Sequence, residues 1–70
     1  MFEAVEERDL ATQALARLTP RQRAALVLTE ALGYSGEETG RLLGIKASTV
    51  WALTHQARTA LKGTLEATDA

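Results

Sequence analysis

One eleven-residue stretch, Gly40-Arg41-Leu42-Leu43-Gly44-Ile45-Lys46-Ala47-Ser48-Thr49-Val50, constrains this chain more than any other part of it. Two helices that cross closely need a small residue at the crossing, and Gly40 supplies it. The first helix must then stop in a left-handed conformation, which glycine adopts without the steric cost of a Cβ, and Gly44 stands there. The second helix must turn an apolar residue back onto the first, and Val50 falls at that spacing. The three positions together predict a helix-turn-helix. Such a geometry leaves one face of the second helix free to enter a DNA major groove.

The rest of the chain fits an all-α, compact four-helix domain built around that motif. Alanine and leucine dominate, and both are strong helix formers. Seventy residues make one domain, 1–70, with a small core. A domain of this size buries roughly 60% of its unfolded surface. There is no cysteine and one histidine, His55, so neither a disulfide nor a clustered metal site is expected. No cofactor is expected, and a reducing cytoplasm suits the composition. No apolar run is long enough to span a bilayer, so no membrane role is expected. The acidic, amphipathic start MFEAVEERDL does not read as a signal peptide.

Four segments carry helical patterning. The first, 2–17, places Phe2, Val5, Leu10, Ala11, Ala14, Leu15 and Leu18 on a rough stripe, with fraying expected at its start. The second, 20–32, opens on Thr19-Pro20-Arg21-Gln22, a capping box with proline at the first helical position, and closes at Gly33. The third, 36–43, opens on a second box, Ser35 with Glu38. Its two glycines, Gly36 and Gly40, each weaken it by roughly 1 kcal/mol relative to alanine, so it must lean on tertiary contacts. The fourth, 47–64, starts after Lys46 at the cap position, with Ser48 as a substitute cap if the helix starts late. Its core stripe reads Val50, Leu53, Ala57 and Leu61, with Thr54 on the same side. The expected core is Leu15, Leu18, Leu26, Leu28, Leu32, Leu43, Ile45, Val50 and Leu61. Residues 66–70 read as a loose tail.

The net charge of −1 is low for a DNA binder, but its distribution is uneven. Glu3, Glu6, Glu7 and Asp9 crowd the first helix. From Lys46 to Lys62 there is no acidic residue, and Lys46, Arg58, Lys62 and His55 lie there. Positive character therefore sits on the helix that would face DNA. No nucleophile–base pair, phosphate loop or metal cluster is present in the sequence, so no catalytic residue is assigned and an enzyme is not expected. Glu37 and Glu38 read as first-turn capping residues, not as an acid/base pair.

Beyond the motif, the chain resembles region 4 of bacterial sigma-70-type factors, of the extracytoplasmic-function (ECF) group. The matching residues are Leu18, Pro20 to Arg23, Leu26 and Leu28, then Leu32 to Ser35 and Glu37-Glu38. They continue with Leu43 to Ile45, Thr49-Val50, His55, Ala57-Arg58 and Leu61. The resemblance covers about two-thirds of the chain. It implies promoter DNA as partner, with the last helix reading the −35 element. It also implies docking on the β-subunit flap of the RNA polymerase core, and an anti-sigma factor as a further partner. A whole sigma factor needs a −10-reading domain, so the chain is expected to be the C-terminal fragment of a longer protein. The sequence departs from the family pattern at Trp51 and Leu53, where cations are usual, at Gln56, where arginine is common, and at Gly40, where alanine is usual.

The expected DNA-binding residues are Arg21, Arg23, Lys46, Ser48, Thr49, Trp51, Ala52, His55, Arg58 and Lys62. Arg58 and Lys62 lie far along the helix and read as phosphate contacts, or as favourable charges near its C-terminal dipole. Arg21 and Arg23 read as phosphate contacts by resemblance. Ser48 and Thr49 either cap the last helix or enter the groove with it. His55 is a polar reader or a plain surface residue. Trp51 has three readings: stacking on a sugar or thymine methyl, packing within the fold, or anchoring a protein partner. Two rival functions follow. One is a protein-interaction module with little DNA binding of its own, motivated by Trp51 and Leu53. The other is the output domain of a two-component-type regulator, disfavoured by Ala57-Arg58 with Leu61.

Overall fold

The computed structural model describes the backbone of residues 2–69 and the side chains of residues 8–67. Helix α1 runs Phe2–Ala16 and α2 runs Pro20–Leu26, continued by a π-helical turn over Val27–Ala31. Helix α3 spans Gly36–Leu43 and α4 spans Ala47–Asp69. No strand occurs among the described residues. The fold is all-α, as expected, and contains the helix-turn-helix in α3 and α4. The side chains of Phe2 and Val5, and those of Glu3, Glu6 and Glu7, lie outside the described set.

Both capping boxes form. Thr19 Oγ1 accepts from Gln22 N at 3.2 Å while Thr19 N donates to Gln22 Oε1 at 3.1 Å. Ser35 Oγ accepts from Glu38 N at 3.0 Å and Ser35 N donates to Glu38 Oε1 at 2.9 Å. Each box satisfies two backbone and side-chain groups reciprocally at a helix start. The Glu38 carboxyl is held below its usual 4.5, first by the Ser35 backbone N–H, then by the Ser35 hydroxyl, with the Arg41 charge helping. Gly44, at φ 71°, ends α3 in the left-handed region.

The core is small and rich in alanine: Ala14, Leu18, Ala25, Leu26, Val50 and Ala57 are buried. Leu15 and Leu61 pack against it, half-buried. Leu28, Leu43 and Ile45 are also half-buried. Leu32 is a correction to the expected core, because it is 62% exposed. The π turn explains why. Leu32 N donates to Val27 O, five residues back, at 3.1 Å. A wider turn delays the next inward position, so a leucine placed by α-helical spacing rotates off the core face. Within the same segment Thr29 Oγ1 donates to Ala25 O at 2.8 Å, side-chain back-bonding of the kind that distorts helices.

The two α3 glycines sit at close approaches. A Cβ on Gly40 would lie 2.6 Å from Ile45 O, so the chain entering α4 can approach only because that atom is absent. A Cβ on Gly36 would lie 2.8 Å from Trp51 Cζ2. The propensity lost in α3 is thus exchanged for contact with the turn and with α4. A second correction concerns the C-terminus. Helix α4 does not end near residue 64 but continues to Asp69, so residues 66–69 of the expected loose tail are helical. Gly63 is the one glycine in Leu61–Ala67, and a glycine does not stop a helix without a left-handed turn.

Candidate nucleic-acid interface

The orientation of α4 follows from its buried stripe. Val50, Thr54 and Ala57 are at most 1% exposed and recur at helical spacing. Ala60 and Leu61 continue the stripe half-buried. The inward residue after Val50 is Thr54, not Leu53, which is half-buried at the flank. Thr54 satisfies its hydroxyl within the helix, donating to Trp51 O at 2.9 Å. With that stripe inside, Ser48, Ala52, His55, Thr59 and Lys62 all face solvent.

The first turn of α4 begins at Ala47. The Lys46 carbonyl accepts from Thr49 N at 3.0 Å and Val50 N at 3.1 Å, so Lys46 is the cap residue. A lysine side chain carries no acceptor, so it cannot cap as Thr19 and Ser35 do. Ser48 lies inside the first turn and remains an exposed face residue; the late start that would make it the cap does not occur. Thr49 is half-buried beside it.

Of its three expected roles, Trp51 shows the packing one, and its outer part stays open to solvent. It is 56% exposed, yet one ring edge rests on Gly36 at the start of α3. Gln56 is bound to the second helix: Gln22 Nε2 donates to its Oε1 at 3.3 Å. Arg58 forms an ion pair with Glu30 on the π turn, both about half-exposed. An exposed pair is worth about 0–1 kcal/mol, so it is easily exchanged for another anion. Lys62 is exposed about 21 Å along the axis from Ser48.

The two arginines of α2 differ. Arg21 is exposed. Arg23 is half-buried and donates from Nη1 to Leu15 O at 3.1 Å, tying α2 to the end of α1. That bond spends one face of the guanidinium on the fold. Arg41 escaped the sequence reading. It is exposed on α3 and lines, with Glu37, Lys46 and Ala47, an open concavity at the helix-turn-helix turn. Its sequence signal is a cation three residues before Gly44, on a helix whose caps and glycines carry the stronger pattern. No cluster of residues fit to hold a metal ion occurs among the described residues, and no described helix is long and apolar enough to cross a membrane.

The left-handed stop at Gly44, the close approach at Gly40 and the buried Val50 make α3 and α4 a helix-turn-helix, the class of fold that this domain has. The family described as Sigma-70, region 4, matches residues 8–61, and this chain belongs to that family. No solved structure matches the chain. The family comprises DNA-binding domains of transcription initiation, which work with promoter DNA and RNA polymerase, and it is not a known enzyme family. The match displaces the reading as the output domain of a two-component-type regulator.

Proposed function

We propose that this domain reads a promoter −35 element as the C-terminal part of a sigma factor of the ECF group, acting in the cytoplasm. The observation that carries the proposal is the exposed face Ser48, Trp51, Ala52 and His55. It is held outward at the start of α4 by the buried Val50–Thr54–Ala57 stripe. The start of a recognition helix is the part that enters the major groove. Arg58, Lys62, Lys46 and Arg21 then serve as phosphate contacts, which position without reading sequence. Thr49, half-buried, supports the helix start. Arg23 acts mainly inside the fold. The polymerase β-subunit flap and an anti-sigma factor are the protein partners of this reading.

The footprint is thin, so the isolated domain binds weakly and relies on polymerase tethering. With about three phosphates neutralised, log K against log salt has a slope near −3. Fluorescence anisotropy of a labelled −35 duplex, titrated at several salt concentrations, checks this. A slope of −6 or steeper, or nanomolar binding at physiological salt, overturns the weak-footprint reading. A second reading, a protein-interaction module, is favoured by the exposure of Leu32, Tyr34 and Leu42. Under it, Trp51→Ala leaves DNA affinity untouched and weakens polymerase or anti-sigma binding.

A further inference from the structure

The reading face of α4 has a specific chemistry. Between Lys46 and Arg58 the chain carries no lysine or arginine. Arg58 is drawn aside by Glu30. Guanine is read in the major groove by paired donors from arginine or lysine to O6 and N7. The first two turns of α4 have no such donor. Adenine is read by asparagine or glutamine. Gln56 is the amide on this stretch, and its oxygen already accepts from Gln22. Beside the single polar groups of Ser48 and His55, which make no paired contact to one base, the face offers the Trp51 ring and the Ala52 methyl, both exposed and neighbours in sequence.

The ring is also held in place. Its Cζ2–Cε2 edge occupies the space that a Cβ on residue 36 would need, at 2.8 and 2.9 Å from that position. Over half of the residue still faces solvent. A preorganised apolar surface binds with little further loss of side-chain freedom. The apolar group on a base edge in the major groove is the thymine 5-methyl. Building on the proposed entry of α4 into the groove, we infer that Trp51, seated on Gly36 and flanked by Ala52, makes α4 a thymine-methyl reader. The preferred duplex carries thymine beneath the first two turns of α4, where a cation at position 51 would select guanine.

The test selects duplexes from a random library with the 70-residue chain. The enriched duplex is then resynthesised with deoxyuridine replacing each thymine in turn. Deoxyuridine keeps the pairing and removes only the methyl. One or two positions lose about fourfold in affinity, the worth of one buried methyl-sized group, and the others do not change. Trp51→Ala abolishes that sensitivity. Gly36→Ala displaces the ring edge and reduces it while circular dichroism stays helical. Trp51→Arg moves the selected base from thymine to guanine. A chain that binds the duplex but ignores every deoxyuridine overturns this inference alone. So does a Trp51→Ala variant that keeps the full deoxyuridine effect. Selection and direct titration are run at low salt and high chain concentration, where even a thin footprint binds; absence of all duplex binding there overturns the proposed function, and this inference with it. The deoxyuridine series uses the unmodified chain, so it decides the matter even if Trp51→Ala does not fold.

Discussion

Thr39 shows how one residue can hold back a small core. Its side chain is fully buried in α3, and its Oγ1 has no hydrogen-bond partner among the described residues. A buried unpaired hydroxyl costs about 1–3 kcal/mol. Thr39→Val removes the orphan and keeps the branched shape. It should raise stability by about 1–3 kcal/mol, read as a higher midpoint in urea at unchanged slope. Thr54 is the control. It is equally buried but bonded to Trp51 O, so Thr54→Val should gain less. Glu38 supplies a test by pH. Its carboxyl pKa is lowered on folding by the Ser35 backbone and hydroxyl. A lowered folded-state pKa gives stability that is present above the unfolded value and lost as pH falls through the folded one. The stabilising share of Glu38 should thus fade as pH drops below 4.5. Glu38→Gln keeps an oxygen for the box but no charge. Its melting temperature should fall less over that range than that of the unmodified chain, and parallel curves would remove Glu38 from the explanation.

The helix crossing is the element-scale feature on which the motif depends. Gly40→Ala gains about 1 kcal/mol of helix propensity but drives a Cβ to 2.6 Å from the Ile45 carbonyl oxygen. A backbone oxygen in a tight turn cannot swing away as a side chain can. Overpacking of this kind costs about 1–3 kcal/mol, so the net effect should be destabilising. A variant that melts higher than the parent would show that the turn yields. Val50→Ala at the same crossing should cost about 1–3 kcal/mol by leaving a cavity. A denaturation curve that overlays the parent would refute that packing. Features governed by neighbours in sequence were legible beforehand: both capping boxes, the Gly44 stop, Lys46 at the cap and the Val50 contact. The misses depend on register or distant partners. Leu32 was placed by α-helical spacing, which the π turn breaks. Leu53 and Thr54 both fall on the expected inner side, and a small rotation of α4 buries Thr54 fully and leaves Leu53 half-buried at its flank. The Arg23 tie to Leu15 and the seat of Trp51 on Gly36 join residues eight and fifteen apart, beyond the reach of helical periodicity.

At the scale of the whole molecule, charge balance sets how strongly the domain meets DNA. The chain carries eight lysines and arginines against nine acids, with a net charge of −1. Glu30 is the acid that most directly limits the face of α4, because it pairs with Arg58 across the gap between the π turn and α4. The pair neutralises one of the few cations available to a phosphate. If Arg58 is a phosphate contact, binding requires exchanging a carboxylate for a phosphate, and the carboxylate opposes it. Glu30→Gln should therefore raise DNA affinity at low salt, while fold stability changes by less than about 1 kcal/mol, since the pair is exposed. Arg58→Ala should weaken binding to cognate and scrambled duplexes alike and shallow the salt slope by about 0.9. The double variant isolates the coupling: in the Arg58→Ala background, most of the Glu30→Gln gain should vanish. Any remaining gain measures the general relief of one negative charge and should be small at high salt, where screening is strong. Equal gains from Glu30→Gln with and without Arg58 would mean that Arg58 never reaches DNA. The phosphate contacts would then be left to Lys46, Lys62 and Arg21.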